Sequence, residues 1–157
     1  MHTFASARTC RHDRIRIATE HPTEFIDLTD RLEALVADAG VETGLVNIQS
    51  LHTTTAIVIN EHEPLLLADF GTLLERTVPT GAFYRHDDAS VRTINVFPGE
   101  RRNGHAHCRA LLMAASASVN VAEGRLQLGR WQRVFLVELD GPRTRDVSIL
   151  VIGDVRR

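Results

Sequence analysis

A chain of 157 residues, 43% apolar and 24% charged, has the composition of one ordinary globular domain that can bury a core unaided. Its net charge is −2, from 18 basic against 20 acidic residues with no basic stripe, which argues against nucleic acid as the main partner. No run approaches the ~18 apolar residues of a membrane span, and Met1 to Arg16 has scattered charge where a secretory signal has an apolar block, so no membrane association and a cytoplasmic location are expected.

In chain order, residues 11–18 alternate polar and apolar through Ile15 and Ile17, predicting a half-exposed strand, and Phe25 to Leu28 predicts a second short one. Asp30-Arg31-Leu32-Glu33 has the form of a capping box opening a helix whose Leu32, Leu35, Val36 and Ala39 share a face, with Gly40 to end it. Gly44 to Leu51 and Thr54 to Asn60 read as adjacent strands joined by a polar link that carries His52. Pro64 to Thr77 reads as a helix with proline in its first turn. Pro79 to Gly81 is a break, residues 82–88 form a polar loop holding His86, and residues 91–97 read equally as a strand or an irregular excursion.

Asn103 to Ala115 is rich in alanine and leucine and predicts a helix with Asn103 as its N-cap. Ser116 to Val121 reads as a strand and Glu123-Gly124 as a turn, with Arg125 to Leu128 and Arg133 to Leu139 a further antiparallel pair around Gly129. Asp140-Gly141-Pro142 turns the chain into a last strand, Arg145 to Ile152. Seven or so strands with about three inserted helices describe a single α+β domain over residues 1–157, built from two mainly antiparallel sheets. Trp131, the one tryptophan, is expected as a buried packing anchor.

Every one of the 18 basic residues is arginine. Without lysine there is no Schiff-base chemistry, and recognition of phosphate or carboxylate falls to arginine, backbone N–H groups or a metal. Cys10 and Cys108 have the spacing of neither a zinc knuckle nor a redox pair. His52, Asn60, Glu61 and Asp69 crowd into eighteen positions, a density of proton- and metal-binding groups that marks a candidate site. His105 and His107 stand two apart, so on a helix they point about 200° apart and only one can serve a given site. No serine elbow is present, and Ser50 beside His52 would share its strand face without being oriented for attack.

Taken together, His52-Thr53-Thr54, Ile59-Asn60-Glu61, Asp69, Tyr84-Arg85-His86, Asn103-Gly104 with His107, Gly124-Arg125, Leu128-Gly129-Arg130-Trp131-Gln132, Glu138 and Arg145 resemble, in order and spacing, the YjbQ-like family. The likeness runs from about residue 12 to 154, is weakest over Arg92 to Arg102, and departs from the family's G-T-W-Q string only at Arg130. It implies a compact two-sheet α+β fold, a homotrimer, and the activity of a secondary thiamine-phosphate synthase, which condenses an aminopyrimidine methyl diphosphate with a thiazole phosphate and releases pyrophosphate. It also implies that His52, His86 and His107 share a pocket and leaves His105 outside it. Three imidazoles suit a divalent metal, zinc above others, with an open position for substrate. Glu61 and Asp69 are then candidates to orient or ligate, Arg145 and Arg143 to clamp a phosphorylated small molecule, and Asn60 and Asn103 to bind it. The alternatives are a metal-assisted hydrolase with Glu61 as general base, and a trimeric metal- or metabolite-binding protein without catalysis.

Overall fold

The computed structural model describes residues 7–155. The first six residues of the stretch read as lacking a signal lie outside it, as does the Arg156-Arg157 pair. The strands are β1 (Arg8–Ala18), β2 (Glu24–Asp27), β3 (Val41–Ser50), β4 (Thr55–Glu61), β5 (Ser116–Ala122), β6 (Arg125–Leu126), β7 (Gln132–Glu138) and β8 (Thr144–Val155). The helices are α1 (Thr29–Ala39), α2 (Pro64–Thr77) and α3 (Gly104–Leu111), with a single 3₁₀ turn at Arg85–Asp87. One sheet has five strands in the order β1-β8-β3-β5-β6, the other three in the order β2-β7-β4, and every pairing is antiparallel. The two-sheet α+β reading holds.

Strand β7 explains the layering. Val134, Phe135, Leu136 and Val137 are all fully buried, so this strand is covered on both faces and cannot show the alternation of a half-exposed one. On one side Val134 and Leu136 join Ile57, Leu32 and Val36 of α1, and the inner face of the large sheet (Val46, Ile48, Val147, Ile149, Val151). On the other, Phe135, Val137 and Leu139 meet Leu74 of α2 and Ala106 of α3. Each such side chain contributes roughly 1.5–3 kcal/mol through burial.

Several local expectations change for physical reasons. β3 and β4 are not adjacent: β3 alternates and joins the large sheet, whereas Thr55, Ala56 and Ile57 are buried in succession and need the doubly covered small sheet beside β7. Arg125 to Leu128 does not pair with Arg133 to Leu139. Glu123 and Gly124, both at positive φ, close a two-residue hairpin that returns β6 onto β5, and the Gly129 to Gln132 turn then carries the chain to the other sheet. Trp131 rides on that turn and is 60% exposed, with the Arg130 guanidinium 4.6 Å from its ring, so it is no core anchor. Residues 91–97 are irregular, and α3 ends at Leu111.

α1 opens two residues early, with Leu28 in place of Asp30 as N-cap and no side-chain cap; Thr29 N–H donates to Asp27 while Asp30 accepts from Arg133. Gly40 ends it at φ 64° as expected, and α2 keeps its predicted bounds, capped by the Glu63 carboxylate, which accepts from the Leu65 and Leu66 amides. No helix among the described residues is long and apolar enough to cross a membrane.

Candidate functional site

A cavity of about 650 Å³ opens where the β3–β4 link, the 3₁₀ turn, the start of α3, the loop before it and the β7–β8 connection meet. It draws together His52, His86, His107, Asn103, Arg143 and Arg145 from separate parts of the sequence. Its size falls in the range of about 300–1,000 Å³ usual for small-molecule sites.

His86 and His107 form its most distinctive feature. Asp87 accepts from the Asn103 and Gly104 amides, each at 2.9 Å, so the residue next to His86 fastens the 3₁₀ turn to the N-terminus of α3. Gly104 permits that approach: a Cβ there would lie 2.5 Å from Tyr84 Cβ. One helical turn on, His107 meets His86 with ring centroids 4.5 Å apart at 60°, and His86 Nε2 is buried without a partner. An unmet buried nitrogen costs about 1–3 kcal/mol, a cost that a ligand in the cavity would remove. His105 points elsewhere and packs near Tyr84, as its helical position requires. Burial, and then the nearby His86, lower the His107 pKa and favour the neutral ring. We expect Gly104→Ala to push the 3₁₀ turn off α3 and part the two imidazoles, abolishing any ligand that bridges them while melting temperature falls by only a few degrees; unchanged ligand affinity would contradict this.

His52 is held differently. Its Nε2 accepts from the Asp146 backbone N–H at 2.8 Å, and burial, then the Arg145 charge, lower its pKa. A nitrogen whose lone pair takes a backbone proton is not free for a metal, so His52 is not arranged to offer its Nε2 to an ion beside His86 and His107. Among the described residues no three His, Cys, Asp or Glu side chains are placed to hold an ion together.

The arginines also separate by role. Arg145, 4% exposed, makes two bonds to the fully buried Glu138, at 2.6 and 2.5 Å, and a third to Thr54 at 3.0 Å. Glu138 further accepts from Thr19 and the Leu139 and Asp140 amides, so Arg145 is neutralised within the fold and is not a phosphate clamp. Arg143 is paired with Asp140 at 2.7 Å, and Asp140 also accepts from Asn103 Nδ2 at 2.9 Å, leaving the buried Asn103 Oδ1 unmet. Arg92 is tied to Glu100 and to the carbonyls of His86, Ile94 and Asn95. Arg101 donates only to the Gly141 and Pro142 carbonyls and is the one arginine lining the cavity without a carboxylate partner among the described residues.

Glu61, Asp69 and Asn60 are not at this site. β4 runs away from His52, carrying Glu61 to its far end, Asp69 is exposed on α2, and Asn60 borders a separate apolar groove with Phe25, Phe70 and Leu73. Closeness in sequence misleads because the extended strand separates them by its full length. Sequence reasoning missed Arg101, Asp87 and Asp140; for Glu138 the available signal was a carboxylate inside an apolar run, which must find a partner when buried.

Residues 13–154 match the family model described as UPF0047 protein YjbQ-like. A UPF0047 protein of Archaeoglobus fulgidus is 40% identical over 135 residues, covering 86% of this chain and 96% of that one. One from Methanothermobacter thermautotrophicus is 37% identical over 137 residues, covering 87% and 88%. Among solved structures, a YbjQ-like protein of unknown function from Sulfolobus solfataricus superposes with a TM-score of 0.83 at 33% identity, covering 94% of this chain and 100% of that one.

Proposed function

The chain belongs to the YjbQ-like UPF0047 family, and we propose that its His86–His107 cavity is the active site of a metal-dependent enzyme for a small phosphorylated molecule, with thiamine-phosphate synthesis as the reaction. The observation that carries this reading is the buried, unpartnered His86 Nε2 beside His107 in a cavity that also holds an unneutralised arginine. Those two imidazoles would supply two ligands to a divalent cation such as zinc, with substrate oxygens and water left to supply the rest, and His52 would not be among them. An ion so held would screen phosphate charge.

In the condensation the thiazole nitrogen bonds to the pyrimidine methylene carbon as the carbon–oxygen bond breaks, and the electron pair leaves with pyrophosphate. No proton need be transferred, so the absence of Glu61 from the cavity removes nothing the step requires. Charge grows on the departing oxygens, and Arg101, which lines the cavity, would meet it through the N–H donors not given to the Gly141 and Pro142 carbonyls. The Asp140 carboxylate holds Arg143 and Asn103 in fixed orientation on the same wall. Pyrophosphate release from the pyrimidine diphosphate and thiazole phosphate, with zinc supplied, is expected from the wild-type chain and not from His107→Ala. Equal release from both would reject the site.

One observation favours a second reading. A single arginine free of carboxylate suits one anionic group better than the diphosphate and phosphate of a condensation. A metal-assisted hydrolase of a phosphomonoester, or a metabolite-binding protein, fits that charge. Phosphate release from a phosphomonoester, with no condensation, would select the hydrolase; saturable binding without turnover would select the binding protein. The homotrimer stays part of the proposal, and light scattering near three times 17.5 kDa is its test.

A further inference from the structure

We infer that His52 serves the cavity as a neutral hydrogen-bond donor through Nδ1–H, aimed at an oxyanion of the bound molecule, and is neither a metal ligand nor a base. The inference rests on the phosphorylated-ligand reading for the identity of the acceptor, and on backbone geometry alone for the donor.

The last paired residues of β3 and β8 are Ser50 and Val147. One step further Leu51 N–H still donates to the Asp146 carbonyl, at 3.2 Å, but the Asp146 N–H finds no backbone carbonyl and donates at 2.8 Å to His52 Nε2. The imidazole thus stands in for the next acceptor of the ladder. A backbone amide can only donate, so Nε2 must offer its lone pair, and in a neutral ring the proton then sits on Nδ1. Asp146 cannot easily turn away, because its carboxylate accepts from Arg14 at 2.9 Å and Arg16 at 3.2 Å on the neighbouring strand. The His52 amide is in turn held by Ser50 Oγ at 3.2 Å.

A ring locked in this tautomer can complete its bonding only with an acceptor. Arg101 on the same cavity wall supplies positive charge, which favours an anionic one. Phosphate oxygens meet both demands. His52 therefore becomes a specificity residue: it selects for an oxygen acceptor where a lysine would select by charge alone, in a chain that has no lysine.

Two variants separate the two ends of the ring. In His52→Gln the amide oxygen can take over the Asp146 bond while the Nδ1 donor disappears; in His52→Asn the amide nitrogen keeps a donor near the Nδ1 position while the Asp146 bond is lost. Long-range ¹H–¹⁵N correlation spectra of the histidine rings at pH 7, with pyrophosphate and then inorganic phosphate titrated in, are the measurement. The expected result is an unprotonated Nε2 and a protonated Nδ1 in the free protein, an Nδ1–H proton that moves downfield on adding pyrophosphate, and about tenfold weaker pyrophosphate binding in His52→Gln at unchanged melting temperature, as for loss of one hydrogen bond to a charged group. His52→Asn should retain more of the affinity than His52→Gln.

A proton on Nε2, an imidazolium at pH 7, or wild-type affinity in His52→Gln would overturn the inference. If the wild-type chain binds neither probe, the phosphate reading itself fails and the acceptor assigned here falls with it, while the tautomer still reports separately on the Asp146 lock.

Discussion

Arg145→Ala is expected to cost the fold about 3–5 kcal/mol, the range for removing one partner of a buried ion pair and stranding the other. Glu138 is fully buried in β7 and Arg145 is its only charged partner among the described residues, so the carboxylate left behind would keep the Thr19 hydroxyl and two backbone amides but no cation. Glu138→Ala should cost a similar amount. The two losses should not add, because both variants break one interaction, and the double change to leucine at Glu138 and methionine at Arg145 should recover much of the stability. A residue whose task was to clamp phosphate would behave otherwise, losing ligand affinity while urea midpoints stayed put. That outcome would return Arg145 to the binding machinery.

Acidity gives the same pair a signature. Burial alone would raise the Glu138 carboxyl, but Arg145 and the Asp140 amide outweigh it and hold the group below its ordinary 4.5. A carboxylate depressed in the folded state contributes stability above its unfolded value and loses it as pH falls through the folded one. Asp27 acts in the same direction. Burial pushes it up, yet bonds from Thr29, Arg133 and His62 bring it from 3.8 down to about 2. Urea stability should therefore begin to fall below about pH 6.5, where the depressed His52, His105 and His107 oppose protonation in the fold, and should decline further from about pH 4.5 toward pH 2 as Glu138 and Asp27 are forced to protonate.

Loss of the paired imidazoles should be the largest functional effect. If the two rings hold one ion as proposed, His86→Ala and His107→Ala should each remove nearly all zinc uptake and all turnover, and the double variant should look like either single one. His105→Ala should change neither. His52→Ala should lower ligand affinity while leaving zinc in place, which distinguishes the arrangement found here from a three-histidine shell. Metal content by plasma emission on the four single variants reads all of this. Zinc lost equally from His52→Ala and His107→Ala would restore the three-ligand site.

Local signals were the legible part of this protein. Proline at the start of α2, Gly40 at the end of α1, and the two-residue spacing of His105 and His107 each act within a few residues, and each held in the fold. Strand partnership was not legible, because it follows from packing: β3 alternates and joins the large sheet, while coverage on two faces sends β4 and β7 to the small one. The site divided along the same line. The resemblance implies one pocket for His52, His86 and His107, and they line one cavity. The atoms they present were hidden: which nitrogen of His52 is engaged depends on Asp146, 94 residues away in sequence, and which arginine is free depends on where Glu138, Asp140 and Glu100 lie.

The most direct test of the central claim is a crystal grown without chelator, soaked with zinc and pyrophosphate, with anomalous scattering recorded across the zinc edge. The account predicts one anomalous peak between His86 Nε2 and the His107 ring, phosphate density reaching from it toward Arg101 and His52 Nδ1, and His52 Nε2 still on the Asp146 amide. A zinc peak bound through His52 Nε2, or phosphate and metal both absent from this cavity at saturating concentrations, would contradict it.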